Sequence, residues 1–398
     1  MSAKDASVSA PPQTQEAPSN TPLLSREFVL LLGSVSLYGL SWSFYLILPK
    51  YFASELGMDA AAIGRAVALQ GVTAVLVTPV VGWLVDRYGR RPWLTCGDLM
   101  IGLTGVLYVF VDHEGLLLYL AQVCWGIGMV MGFNAAGAMT ADIAPSDRMA
   151  QAIGLFGAAN LGMNAISPTI GELLAENMGW KYVFIASACA GLLAALVSTR
   201  LKEPARHAPL ADGVRRPILG GSLLRVYGTT ALMTASFTAL FTLHQPFALE
   251  QGVTEVRSFF IGFALTALTV RLGGGRLIDR FGVLRASVVS IVLYSTVPPM
   301  LGYLGADHLF AIGAMMGVAH GVAYPALTAL AIARADAAAR GMVVSIIHGA
   351  FNGGHAFFAY ALGWMATERS FESAFLAAAV ITFSGAVLLG VNRRTKVV

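Results

Sequence analysis

The sequence predicts an all-α membrane protein in which twelve transmembrane helices form two pseudo-symmetric six-helix bundles. The first observation is composition, because 56% of the 398 residues are hydrophobic and 12% are charged, whereas soluble proteins carry about 25% charged residues. The second is a series of twelve apolar stretches, and the third is an internal repeat that relates six of them to the other six. So few charges cannot cover a water-soluble surface.

Each apolar stretch has the length that an α-helix needs to cross a hydrocarbon core of about 30 Å. Six stretches precede residue 200 and six follow residue 225, which leaves little room for a soluble domain. Their approximate bounds are 27–49, 61–85, 93–111, 115–138, 150–173, 181–199, 226–248, 258–278, 286–305, 309–333, 342–365 and 372–391.

The connections between the stretches suggest both the domain organisation and the orientation. The two predicted bundles span residues 26–200 and 225–392, and the Pro- and Arg-containing linker 201–224 separates them. A tail that resembles a disordered segment spans residues 1–25, and a second tail spans residues 393–398. Lysine and arginine concentrate in the tails and in every second loop. By the positive-inside rule, these regions and both termini face the cytoplasm.

Self-comparison shows that the two predicted bundles share an ancestral unit. A shift of 193 residues aligns the loop after the second stretch with the loop after the eighth, and a shift of 192 aligns the fifth stretch with the eleventh, including Asn160 with Asn352. Parallel repeats of this kind place a substrate path between the halves, which rock to open it on alternate sides.

The loop at residues 82–91, GWLVDRYGRR, brings a carboxylate and several guanidinium groups to the ends of two helices. Such groups form charge-assisted bonds that can latch a gate, although an ordinary charged turn explains a single copy equally well. The loop resembles the signature of the major facilitator superfamily, and residues 275–285 resemble its second-half counterpart. This resemblance covers residues 26–394 and implies gating roles for Gly82, Asp86, Arg87, Gly89, Arg90, Arg91, Gly275, Asp279 and Arg280.

The fifth stretch partly resembles the glycine-and-proline signature that the superfamily associates with exporters. Small residues allow close helix approach and proline kinks a helix, so Gly157, Gly162, Pro168 and Gly171 are predicted packing residues. A packing face without directional meaning is the alternative. Gln122 stands where many proton-coupled exporters have an arginine, which weakens a simple drug–proton antiporter assignment.

Ionisable side chains inside the apolar stretches are candidate substrate or proton sites, because their burial in a membrane is costly. Arg271 either snorkels and bonds to carbonyls or a first-half partner, or it meets an anionic substrate group. His320 and His355 lie near mid-membrane, where histidine either carries a coupling proton or packs. Glu172 is expected in a partly solvated position, as a proton-releasing group or a structural salt bridge.

Amide and aromatic side chains on the same stretches can supply a binding surface, and the candidates are Asn160, Asn352, Gln122 and Tyr324. The resemblance then implies a secondary active transporter of a bacterial inner membrane, crossing it many times. We expect proton-coupled export of a small organic metabolite or drug-like compound, with an uptake symporter or facilitator for a small, possibly anionic, solute as the alternative.

Classes other than transport have weaker support. A membrane sensor without transport is a remote alternative, and an enzyme is not expected because the sequence contains no phosphate-binding loop, metal-ligand cluster or nucleophile elbow. The expected partners are the substrate and the lipid bilayer, with no nucleic acid, cofactor or metal. The chain is expected to function as a monomer.

Overall fold

The computed structural model describes residues 23–145, 148–204, 219–273, 281–336 and 339–391. These residues form twelve long helices. The helices are α1 (Arg26–Ser54), α2 (Ala60–Tyr88), α3 (Arg91–Tyr108), α4 (Leu116–Ile143), α5 (Met149–Met178), α6 (Trp180–Ser198), α7 (Gly221–Glu250), α8 (Arg257–Gly273), α9 (Val283–Leu304), α10 (Leu309–Ala333), α11 (Arg340–Glu368) and α12 (Phe371–Gly390).

Each predicted apolar stretch coincides with one helix, and the predicted all-α architecture is confirmed. Eight of the helices are long and apolar enough by themselves to cross a membrane. The other four are α3, α5, α8 and α11. Helix α7 begins at Gly221, about one turn before the predicted start of the second bundle.

Helix boundaries follow local sequence. Ser25, Asp59 and Ser370 each cap a helix, because the side-chain oxygen accepts a hydrogen bond from a backbone N–H in the first turn. Gly179 separates α5 from α6 with a φ of 99°, a backbone conformation that a residue with a side chain rarely adopts. The chain therefore reverses at a single residue between these two helices.

Helices α1 and α7 depart from regular α-helical geometry at a similar depth in the two bundles. A 3₁₀ segment spans Phe44–Ile47 in α1, and a π segment spans Ala239–Leu243 in α7. Pro49 and Pro246 follow these segments. Because proline lacks an N–H and its ring crowds the carbonyl four residues earlier, the preceding turn loses its regular hydrogen bond.

The two bundles meet along α2 with α11 and along α5 with α8. Glycine makes the first contact possible: a Cβ on Gly64 would overlap the carbonyl oxygen of Ala359, and one on Gly71 would lie 2.8 Å from Cβ of Ala356. We call the end of the molecule that carries Lys50 the Lys50 end, and the opposite end, where α2 joins α3, the Asp86 end.

Candidate functional site: a cavity between the bundles

One cavity of about 390 Å³ lies between the two bundles and is lined by helices of both. It extends from Pro49 toward the Asp86 end, where Thr78 of α2 and Val344 of α11 line it. Five of the predicted substrate or proton candidates lie on its wall, namely Arg271, His320, His355, Asn160 and Asn352, and Tyr324 is a sixth. The structure therefore brings together residues from four helices that the sequence separates by up to 195 positions.

The two predicted histidines are each held by a hydroxyl group of a neighbouring helix. The Nδ1 atom of His320 lies 3.1 Å from Oη of Tyr294 on α9. The Nδ1 atom of His355 lies 2.8 Å from Oγ1 of Thr238 on α7. Both rings therefore have a fixed orientation at the wall of the cavity, which suits a group that must exchange a proton with a ligand or with water.

An aromatic cluster of Phe237, Tyr324 and Phe351 connects these histidines. The Phe237 ring centroid is 5.9 Å from that of His320, 5.3 Å from that of His355 and 5.0 Å from that of Phe351. Tyr324 stacks on His320 with an interplanar angle of 19° and a centroid distance of 5.9 Å. The result is a wall of the second bundle that offers ring faces and edges to a ligand.

Arg271 lies near the end of α8 and its Nε is buried without a hydrogen-bond partner. Its side chain lines the cavity between the bundles. On the facing wall, Asn160 has a buried Nδ2 without a partner. Asn164 is already engaged, because its Oδ1 accepts a hydrogen bond from Ser43 at 3.1 Å.

Glu172 does not line the cavity and is fully buried, so the expectation of a partly solvated position is wrong, whereas the structural salt bridge that was the alternative does form. Its side chain is fully buried at the Lys50 end, where it pairs with the ammonium group of Lys50. It also accepts hydrogen bonds from the backbone N–H groups of Val256 at 2.7 Å and Arg257 at 2.8 Å. The neighbouring carbonyl of Thr254 accepts a hydrogen bond from Lys50. These contacts join the two bundles, and we call them the Glu172 clasp.

Gln122 also lies away from the cavity. Its amide is fully buried inside the first bundle, and neither Nε2 nor Oε1 has a hydrogen-bond partner within the described part of the chain. Nearby in the same bundle, Asp98 is fully buried and accepts a hydrogen bond from Ser34 at 3.3 Å. Asp98 therefore contacts α1 rather than the basic loop before it.

The predicted gating loop forms at the Asp86 end. Arg90 pairs with Asp142 of α4 at 2.8 Å and more loosely with Asp86 at 3.6 Å, and the side chain of Asp86 is 78% exposed. The backbone N–H groups of Arg90 and Arg91 donate to the two carboxylate oxygens of Glu203 at 2.6 and 2.9 Å. A carboxylate at this helix N-terminus also interacts favourably with the helix dipole.

The other residues of the predicted gating loop that the structure describes make no ion pair and differ in their surroundings. Gly89 has a φ of 105°, a conformation that favours glycine, and a Cβ there would lie 2.6 Å from a carboxylate oxygen of Glu203, whose side chain would have to move. Arg87 lies 5.4 Å over the Trp83 ring, while Gly82 has open space where a Cβ would be. The second copy, Gly275, Asp279 and Arg280, lies outside the described residues.

The prediction of close packing in α5 is correct for only part of the motif. A Cβ on Gly171 would lie 2.8 Å from Cδ1 of Ile47, so this glycine does allow α1 to approach. Gly157 and Gly162 have nothing within 4 Å of such a Cβ, and the packing prediction for them is wrong. Gly157 instead lines the cavity, and Pro168 lies within α5 between these sites.

Sequence reasoning missed Asp142, Glu203, Lys50 and His348. Asp142 and Glu203 contact the loop only after distant helices come together, and no local pattern marks them. His348 lines the cavity beside Phe133 of the first bundle, with ring centroids 5.9 Å apart.

Comparison with known proteins agrees with this architecture. A segment of 189 residues is 29% identical to Multidrug resistance protein 1 of Bacillus subtilis and covers 47% of this chain and 46% of that protein. A segment of 284 residues is 25% identical to the multi-drug resistance efflux pump PmrA of Streptococcus pneumoniae and covers 65% of this chain and 69% of that protein. The chain thus spans about half the length of the first relative.

Solved structures share the fold. A bacterial homologue of the human lysosomal transporter Spinster, in an inward-facing and occupied conformation, superposes with a TM-score of 0.77 at 15% identity, over 94% of this chain and 98% of that one. The sequence model described as Major Facilitator Superfamily matches residues 30–256 and 226–397. With its two six-helix bundles and the cavity between them, this chain belongs to the Major Facilitator Superfamily.

Proposed function

We propose that this chain is a secondary active transporter that exports a small organic compound by alternating access, in exchange for protons. The observation that carries the proposal is the cavity shared by the two bundles, together with the Glu172 clasp that joins them at the Lys50 end of that cavity. A single site between two rigid halves becomes accessible from alternate sides when one half rocks on the other.

Charge distribution supports an orientation for this movement. The loop at the Asp86 end contains Arg87, Arg90 and Arg91, and the positive-inside rule assigns such a loop to the cytoplasm. The Lys50 end then faces outward. In this orientation, the structure corresponds to a transporter that is closed to the outside and extends its cavity toward the cytoplasm of a bacterial inner membrane.

Export is supported by the relatives, which are named for multidrug resistance and efflux. Proton exchange is supported by His320 and His355, because histidine is the side chain whose ordinary titration lies closest to neutral pH. Both line the cavity in which the substrate would bind. The cavity is complete within one chain, which supports function as a monomer.

Proton-dye measurements in everted membrane vesicles test both coupling and direction. The compounds are a panel of amphipathic aromatic molecules with acidic, neutral or basic groups, added outside vesicles with an acidic lumen. An exporter that exchanges substrate for protons should make the lumen more alkaline, whereas a proton-coupled uptake symporter should make it more acidic. No pH change with any compound, despite accumulation of a labelled one, would contradict proton coupling.

Two histidine variants, one at the cavity and one at the surface, test the proton path directly. His355→Gln should flatten the pH dependence of transport, since its ring lies at the cavity and loses its titrating group. His113→Gln is the matched control, because His113 is exposed beside Asp112 in the connection between α3 and α4. An unchanged pH profile in the His355 variant would remove that residue from the proton path.

A further inference from the structure

Three residues that line the cavity each carry a buried hydrogen-bond donor that has no partner within the described chain. In the part of the chain that the structure describes, the buried polar atoms that both lack a partner and belong to cavity-lining residues are Nε1 of Trp125, Nδ2 of Asn160 and Nε of Arg271. All three atoms are donors. A buried donor without an acceptor is unfavourable, so a ligand rich in acceptors would relieve this cost.

The charged groups on the cavity wall also favour an anionic ligand. The described lining residues include Arg271 and the histidines at 320, 348 and 355, but no aspartate or glutamate. Within the described chain, Arg271 forms neither an ion pair nor a side-chain hydrogen bond. A guanidinium ion in a partly desolvated cavity favours an anionic partner, and among the described lining residues no carboxylate is present to compensate a cationic ligand.

The rest of the cavity surface suits a ligand that contains an aromatic ring. Phe237, Tyr324 and Phe351 form an aromatic wall of the second bundle, and Phe133 and Phe156 line the wall of the first bundle. A cavity of about 390 Å³ is within the range of sites that hold drug-sized ligands, roughly 300–1,000 Å³. Rings stack on such walls with a preference for offset or edge contacts.

From these observations, we propose that the transported compound is an amphipathic aromatic carboxylate. Arg271 binds the carboxylate, Asn160 and Trp125 donate hydrogen bonds to its acceptors, and the aromatic cluster holds the ring. Because Trp125 and Asn160 belong to the first bundle and Arg271 to the second, the ligand contacts both moving halves. This inference rests on the proposed transport function and names its substrate class.

Two matched probe series test the inference on purified protein in lipid nanodiscs. Each series keeps one aromatic ring system and changes the polar group from an anionic acid to a neutral amide and a cationic amine: indole-3-acetate, indole-3-acetamide and tryptamine, then 1-naphthylacetate, its amide and 2-(1-naphthyl)ethylamine. Calorimetry should show that the acid binds about tenfold to a hundredfold tighter than its amide, the range expected for hydrogen bonds to a charged group. The amine should bind weakest.

Variants of Arg271 test whether this residue causes the preference for the acid over the amide. Arg271→Gln should abolish the preference for the acid while retaining binding of the amide, which also shows that the variant is folded. Arg271→Lys should keep part of the preference, because it retains the charge but loses the planar donor arrangement. Arg65→Gln is the matched control, since Arg65 lies at the surface and pairs with Glu114 at 3.2 Å.

Each outcome decides the proposal. Equal binding of acid and amide in both series, tighter binding of the amine, no detectable binding of either acid, or an unchanged preference in Arg271→Gln would overturn it. Transport of a neutral or cationic compound in preference to the acids would overturn the substrate class and leave the transport function intact. Conversely, acids that bind as expected but do not cross proteoliposome membranes would refute transport and leave the binding site.

Discussion

Replacing Glu172 by glutamine should shift the protein toward a state that is open at the Lys50 end. The buried carboxylate of Glu172 joins Lys50 of the first bundle to Val256 and Arg257 of the second. Glutamine has nearly the same shape and can still accept a hydrogen bond, but it removes the negative charge. The variant therefore tests the charge of the Glu172 clasp with little change in packing.

The structure indicates the size of the effect. At an effective dielectric constant near 20, the 3.8 Å contact between Glu172 and Nη1 of Arg257 is worth about 4 kcal/mol before desolvation is subtracted. Breaking a buried ion pair from one side costs about 3–5 kcal/mol, because the other charge stays buried. Since glutamine keeps one hydrogen bond, we expect about 3 kcal/mol, or roughly a hundredfold change in the equilibrium between the two states.

Distances between spin labels at the Lys50 end can measure this shift. The free cysteines Cys96, Cys124 and Cys189 are first replaced by serine. Labels at Asn177 of the first bundle and Gln251 of the second then report separation, because both residues are exposed at this end. The Glu172→Gln variant should populate a longer distance that is rare in the unmodified protein.

Glu176→Gln is the matched control, because it makes the same chemical change to a residue that contacts the same arginine. Glu176 lies 3.0 Å from Arg257, but its side chain is 38% exposed, whereas that of Glu172 is fully buried. Exposed pairs contribute about 0–1 kcal/mol, so the control should move the distribution little. Equal shifts in the two variants, or no shift in Glu172→Gln, would refute the assignment of gate closure to a buried charge.

Two further predictions concern the gating loop and the contact between bundles. Asp142→Asn should slow transport and lower the free energy of unfolding by about 1–3 kcal/mol, because it removes a partly buried charge-assisted bond to Arg90. Asp86→Asn should leave the protein folded and slow transport less, since Asp86 is exposed. Equal melting shifts and equal rates at matched expression would contradict this ranking. Gly64→Ala should separate α2 from α11 and lengthen the label distance at the Lys50 end, whereas Gly33→Ala, where a Cβ meets no atom within 4 Å, should not. An unchanged distance in the Gly64 variant would show that the helices do not need this close approach.

Local patterns were sufficient to predict the helices. Apolar length marked every span, and the repeat indicated the division into halves. The candidate site was predicted in part for the same reason: Arg271, His320 and His355 are conspicuous as ionisable side chains within apolar stretches, and the structure places all three at one cavity.

Other features required knowledge of contacts between distant segments. Glu172 looks like a partly solvated group at a helix end, yet it is fully buried because α8 begins against it. Gly157 looks like a packing residue, yet the helix that would contact it lies across the cavity. Asp142 is a better partner than Asp86 for Arg90 because α4 ends beside the loop.

The sequence by itself determined that this protein is a bundle of twelve helices in a membrane, because hydrocarbon length and charge exclusion act on each segment independently of its neighbours. Tertiary structure alone decided which polar side chains meet. The packing of the two bundles determines the burial of Glu172 and leaves donors of Trp125, Asn160 and Arg271 unpaired. That arrangement is set by small-residue contacts such as Gly64 with Ala359, whose partners lie almost three hundred residues apart.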